Sequence, residues 1–317
     1  MQTTEAISIA PTLFKKVLKL MGNRFEISVV AQVQEIANQW IDEAVLEIQR
    51  IEKLLTTFDE NSQTNQINKY AGIKPVVVDR EVFELISRSK KISDLTQGAF
   101  DISYGSIDKK LWNFDQSMKK LPDPITAKNS VRLINYRNVI LNEGDCSVFL
   151  KEKGMRIGFG GIGKGYAADR AKAVMLASGV SNGIVNASGD LTAWGRQPNG
   201  EPWTIGISDP NAALHPFSYL QLNNASIATS GNYEKFVVID GKKYSHTIDP
   251  NTGLPATGIK SVSIISPTAE LADAMTTPVI IMGTKVGLNL INQVKGMACI
   301  IIDDNDQIYT SKNIQLK

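Results

Sequence analysis

Phe236-Val-Val-Ile-Asp-Gly-Lys-Lys-Tyr-Ser-His-Thr-Ile-Asp-Pro-Asn-Thr-Gly253 is the stretch that sets the fold class. Short runs rich in β-branched and aromatic residues flank Asp240-Gly241, a dipeptide suited to the positive φ angles of a tight hairpin turn. A hairpin of this kind joins antiparallel strands, whereas parallel strands need a long crossover. Asn199-Gly200 and Pro250-Asn-Thr-Gly253 repeat the turn signal, so Gly183 to Ile265 is a series of short strands. Outward from there, Phe25–Val30 alternates like a strand. Helices are expected over about 33–56, 80–94, 164–178 and 285–294, with another entered at Ser266-Pro267. β-like runs lie between Val139 and Ile157, including Met155-Arg-Ile157, and a closing hairpin pairs 298–303 with 308–312. Strands in runs with helices grouped between them predict an α+β fold: an antiparallel sheet with packed helices in a single compact unit.

Composition narrows the class further. Of 317 residues, 43% are hydrophobic and 21% charged, the balance of an ordinary globular enzyme. A net charge of +2, with only Lys15, Lys16 and Lys19 clustered, argues against nucleic-acid binding. No apolar run reaches the length of a membrane span; the longest is Pro278–Gly283. The N-terminus has neither a signal-peptide core nor a cysteine for lipid attachment. Cys146 and Cys299 have no metal spacing and are expected as two buried thiols. With His215 and His246 the only histidines, a poly-histidine metal site is excluded and oxygen ligands remain.

Ser266-Pro-Thr-Ala-Glu-Leu-Ala-Asp-Ala-Met-Thr-Thr-Pro278 offers such ligands. Asp273 and Thr277 stand four residues apart on one helix face and present a carboxylate beside a hydroxyl. Both are hard donors of the kind Mg²⁺ takes when phosphates complete its shell; a solvated helix end would look the same. Pro278 is expected to loosen the helix beside them. Gly158-Phe-Gly-Gly-Ile-Gly-Lys-Gly165 precedes a helix and exposes N–H groups suited to an anion. It satisfies a dinucleotide fingerprint and nearly a P-loop. Gly165 replaces the metal-binding Ser or Thr of the P-loop, and no βαβ context supports the dinucleotide fingerprint. His246, at the end of a hairpin strand, is suited to taking a proton from a hydroxyl, although such a histidine is also a common surface residue. Asp101 and Asp190 each end a small-residue turn.

Eight segments in order resemble the ApbE family, the FAD:protein FMN transferases. They are Met21-Gly-Asn, Thr57-Phe-Asp-Glu-Asn-Ser62, Gly98-Ala-Phe-Asp101, Gly160-Gly-Ile-Gly-Lys-Gly-Tyr-Ala-Ala-Asp169, Asn186-Ala-Ser-Gly-Asp190, Thr229-Ser-Gly-Asn-Tyr233, Ser245-His-Thr-Ile-Asp-Pro-Asn-Thr-Gly253 and Ala272-Asp-Ala-Met-Thr-Thr277. The resemblance implies a T-fold-like core over residues 21–317, with residues 1–20 as an N-terminal extension. It implies Mg²⁺-dependent transfer of FMN from FAD onto a Thr or Ser hydroxyl of a protein, releasing AMP. Alternatives are an FAD pyrophosphatase and a non-catalytic FAD-binding protein. On this resemblance Asp273, Thr277 and the Gly161 carbonyl hold the metal. Met21, Phe58, Ala99, Phe100, Asp101, Lys164 and Thr247 contact FAD, and His246 is the general base, with Asp273 also considered for that role.

Two positions depart from the family pattern. Gly158 stands where an Asp is common, and Phe58 where Tyr is frequent, keeping the ring without its hydroxyl. The resemblance further implies an acceptor among redox-system subunits. The compartment is expected to be cytoplasmic for the chain as written, or the cell envelope if a leader has been removed.

Overall fold

The computed structural model describes residues 10–111, 118, 120–209, 212–231 and 236–314. Asn232 and Tyr233, the end of one motif above, lie outside that range. A hairpin opens the described chain: β1 (Thr12–Leu20) pairs with β2 (Asn23–Ala31) along its whole length. Residues 12–20, set apart above as an extension, are therefore the edge strand of the main sheet. Met21 and Gly22 close this hairpin with φ of 50° and 72°, the paired positive angles of a type I′ turn. A left-handed methionine is uncommon and mildly strained. Its position becomes relevant below.

Next come α1 (Gln34–Leu55), α2 (Gln63–Lys69), β3 (Val76–Val77), α3 (Arg80–Leu95), α4 (Pro124–Ser130), β4 (Val139–Asn142) and β5 (Ser147–Leu150). The three short strands form a small sheet in the order β3-β5-β4. In α1, Ala37, Ile41, Ala44, Ile48, Ile51 and Leu55 are buried, a stripe at helical spacing that faces the core. After α5 (Gly163–Ala177), the strand-rich half contains β6 (Gly183–Ala187), β7 (Asp190–Trp194), β8 (Trp203–Asp209), β9 (Ala212–Leu222), β10 (Ala225–Gly231), β11 (Phe236–Ile239), β12 (Lys242–Ser245) and β13 (Ile259–Ser266). The chain ends with α6 (Ala269–Gln293), β14 (Ala298–Asp303) and β15 (Ile308–Thr310).

Eight strands make one sheet, ordered β1-β2-β6-β7-β10-β13-β14-β15, and every pairing in it is antiparallel. Neighbouring residues on one strand point to opposite faces, and two cores result. Val185, Ala228, Ile264 and Ile301 join a large core shared with α1, α5 and α6. Their chain neighbours Ile184, Ile227, Ile265 and Ile300 join a smaller one with Trp203, Ile207 and Leu222 from the β8–β9 ribbon. A sheet covered on both faces explains why β7 is buried at every position.

Several local expectations change. Met155–Ile157 forms no strand. The buried side chain of Asn68 substitutes for a partner strand, accepting from Ile157 N at 2.7 Å and donating to Ile157 O at 3.1 Å. Pro267 precedes helix α6 instead of lying in its first turn. Thr268 is the cap, its hydroxyl accepting from Leu271 N. Backbone angles remain helical through Pro278. The break falls at Gly283 (φ 77°), so the two expected helices are segments of one bent element. By length and composition α6 could cross a membrane, which the separate runs did not reveal; it packs against α5, β10 and β13. Cys299 is buried, but Cys146 is only half-buried.

Candidate active site

Where α5 and α6 meet the hairpin tips, a cleft of about 780 Å³ opens. Its walls include Met21, Phe58, Ala99, Phe100, Asp101, Gly161, Lys164, His246, Thr247 and Thr277. Ten of the eleven residues expected from sequence thus share one cavity, though they span 257 positions of chain. The eleventh, Asp273, lies behind the wall at 4% exposure.

Each wall residue has a local cause. The type I′ turn at the tip of the β1–β2 hairpin presents Met21 to the cleft, and a left-handed residue there is the kind of strain found at functional sites. The loop after α1 is tied by Asn65, whose amide donates to Thr57 O and Asp59 O at 2.9 and 2.7 Å. Phe58 N donates to Thr56 Oγ1, leaving the ring 98% exposed at the cleft lip. An aromatic so placed has no core role, and its open face is available for stacking.

After α3, Gln97 and Gly98 turn the chain with φ of 52° and 83° and lead into Ala99-Phe100-Asp101. Asp101 is an internal clasp. Its carboxylate accepts from Ser103 N and Oγ at 2.8 and 2.6 Å and from Tyr136 N at 2.9 Å. Burial raises its pKa, and those hydrogen bonds oppose the rise.

The metal candidates lie at the contact of α5 with α6. A Cβ on Gly165 would sit 2.1 Å from Ala269 O and 2.9 Å from Asp273 Cβ, so only glycine permits this approach. Because the helices are that close, Gly165 N donates to Asp273 Oδ2 at 3.1 Å. Asp273 Oδ1 faces Lys164 Nζ at 3.9 Å, beyond hydrogen-bond reach. One turn later Thr277 reaches the cleft wall, as i,i+4 spacing requires. Lys164 is ion-paired with Asp190, the first residue of β7, placed there by a Ser188-Gly189 turn with φ of 56° and 101°.

Two buried carboxylates therefore face one ammonium. Burial pushes Asp190 up to about 7, the Asp273 charge adding to the rise and Lys164 opposing it. Asp273 is likewise raised by burial and restrained by Lys164 and the Gly165 N–H. Burial works against the Lys164 charge, but the two carboxylates outweigh it and raise its pKa. With all three groups ionised, the cluster holds one uncompensated negative charge in a low-dielectric setting, where a cation is most strongly favoured. The donor set thus suits a hard divalent ion.

His246 is exposed at the end of β12 and lines the cleft beside Thr247. Thr247 is fixed by its N–H donating to Ser245 Oγ and its carbonyl accepting from Ala256 N. Tyr104 Oη accepts from Ile248 N at 3.4 Å and holds this segment against the cleft. Tyr104, Arg156 and Asp190 were not among the expected site residues. Arg156 lines the cleft two positions before the glycine loop, and that adjacency was its available signal. Asp190 was noticed only as a turn residue.

Comparisons with known proteins bear on the family and the fold. The model of the ApbE family matches residues 21–301. An FAD:protein FMN transferase of Klebsiella pneumoniae is 34% identical over 272 residues, covering 85% of this chain and 84% of that protein. One from Treponema pallidum is 30% identical over 289 residues, covering 86% and 80%. A crystal structure of an ApbE protein from Thermotoga maritima superposes with a TM-score of 0.85 at 30% identity, covering 95% of this chain and 98% of that one. The chain belongs to the ApbE family.

Proposed function

We propose that this protein transfers FMN from FAD to a Thr or Ser hydroxyl of an acceptor protein, with Mg²⁺ as cofactor and AMP as leaving product. One observation carries the reading. A single cleft joins an exposed aromatic, a glycine loop, a lysine and a histidine, with a buried carboxylate directly behind them. In the reaction, the acceptor oxygen bonds to the FMN phosphorus, the bond from that phosphorus to the AMP oxygen breaks, and the hydroxyl proton passes to His246. Phe58 is suited to stack on the isoalloxazine ring. The N–H groups of Gly160–Lys164, with Lys164 and Arg156, attract the diphosphate. Asp273, Thr277 and the Gly161 carbonyl would hold Mg²⁺, which when bound neutralises charge building on the phosphoryl oxygens.

Relatives named FAD:protein FMN transferase support the FAD and protein-acceptor assignments; a redox-system subunit is the acceptor class we propose. The test is chromatography of FAD, FMN and AMP, with Mg²⁺, with and without an acceptor. Transfer predicts one AMP per covalent flavin and almost no free FMN. AMP with free FMN in the absence of acceptor would indicate hydrolysis, and intact FAD throughout would indicate a binding protein.

A further inference from the structure

The charge cluster behind the cleft contains one member that the proposed chemistry does not use. Asp190 comes from the sheet, 26 residues beyond Lys164 and 83 before Asp273, and it does not line the cleft. Its side chain is 5% exposed and is paired with the ammonium of Lys164. The Lys164 side chain is a quarter exposed, and its ammonium lies 3.9 Å from Asp273 Oδ1. A lysine this close to two carboxylates pairs with whichever is better placed. If it paired fully with Asp273, that oxygen would be covered by a cation that cannot leave.

We infer that Asp190 is a positioning residue that draws the Lys164 ammonium away from Asp273 and so keeps Asp273 Oδ1 open for the divalent cation. This rests on the metal assignment proposed above. The placement of Asp190 is rigid: Ala187 pairs with Asp190 across the two-residue turn, and β7 is buried along its length between β6 and β10. Lys164 sits on the first turn of α5, one residue from the glycine that fixes α5 against α6. Sheet and helices thus hold the three charged groups in a set order, carboxylate, ammonium, carboxylate. Release of the ammonium from Asp190 would let it move toward Asp273, where attraction strengthens as the separation shrinks.

The test is Mn²⁺ binding to the metal-free protein, read from loss of the free-ion EPR signal, so that turnover is not needed. Asp190→Asn is expected to weaken Mn²⁺ binding about tenfold, equivalent to about 1.4 kcal/mol. In a Lys164→Met background the same substitution is expected to change binding less than about twofold, because no ammonium remains to move. The double variant carries no buried unpaired charge at either position, so it also serves where Asp190→Asn alone folds poorly. A tenfold loss in both backgrounds would overturn the inference and make Asp190 a direct electrostatic or ligating group. Unchanged binding in Asp190→Asn would overturn it while leaving the metal site intact, provided Asp273→Ala abolishes binding. Failure of the wild-type protein to bind Mn²⁺ would remove both this inference and the metal assignment.

Discussion

Gly165→Ala should damage stability and activity together. The added methyl carbon would meet Ala269 O at 2.1 Å, Ala269 C at 2.5 Å and Asp273 Cβ at 2.9 Å. These are backbone and short side-chain atoms that cannot swing aside, so α5 and α6 must separate by about 1 Å to restore contact distance. Overpacking of this kind costs about 1–3 kcal/mol. The hydrogen bond from Gly165 N to Asp273 Oδ2, now 3.1 Å, would stretch past useful length, and losing a bond to a buried charged group costs about 1.5–3 kcal/mol more. We expect about 2.5–6 kcal/mol of lost stability in all, and a turnover loss on the order of 10²-fold from displacement of the proposed metal-binding face. Chemical denaturation and FAD turnover check both numbers. For stability alone, Gly158→Ala and Gly160→Ala are matched controls, since a Cβ at either position meets no protein atom within 4 Å; both glycines line the cleft, so turnover is not compared. If Gly165→Ala proved as harmless as those two, the close helix contact would not be what positions Asp273.

Other outcomes follow from the same geometry. Phe58→Ala should weaken FAD binding by about 1–3 kcal/mol, the range for aromatic stacking on a base, while leaving the melting temperature unchanged because the ring is already 98% exposed; fluorescence titration reads the first and calorimetry the second. His246→Ala should slow transfer about 10²–10⁴-fold with little change in FAD affinity, and an unaltered rate would remove His246 as the base. For Asp169, burial raises the carboxyl from 3.8 to about 6 although Glu270 N and Ala269 N donate to it. A raised folded-state value means its contribution to stability is complete below about pH 4 and is lost as pH rises through about 6, by up to about 3 kcal/mol. Urea unfolding of Asp169→Asn between pH 4 and 7 should therefore show a shallower decline than wild type, and identical slopes would contradict the assignment.

The architecture was legible wherever local chemistry dictates backbone geometry. Asp240-Gly241 adopts φ of 50° and 76° and closes the β11–β12 hairpin as its residue types require. The buried stripe of α1 follows from its spacing alone. Asp273 and Thr277 were visible as a pair because both lie on one helix. Asp190 was not, because its partner arrives from a distant element, and sequence around a Ser-Gly-Asp turn cannot distinguish a buried ion pair from a surface one. The bend in α6 was misplaced for a related reason. Pro278 removes one donor yet is held inside the core, whereas Gly283 adopts the left-handed angle that breaks the helix. Asn68 filling the place of a strand partner for Ile157 was likewise invisible to any periodicity.

The most direct measurement is the rate of acceptor flavinylation against Mg²⁺ concentration for wild-type protein and Asp273→Ala, with FAD saturating. The proposed site predicts a saturable Mg²⁺ dependence in the wild type and no Mg²⁺-stimulated rate in the variant, with helix content retained. A variant that still labels the acceptor at the wild-type rate, or a wild type indifferent to Mg²⁺ removal by chelation, would contradict it.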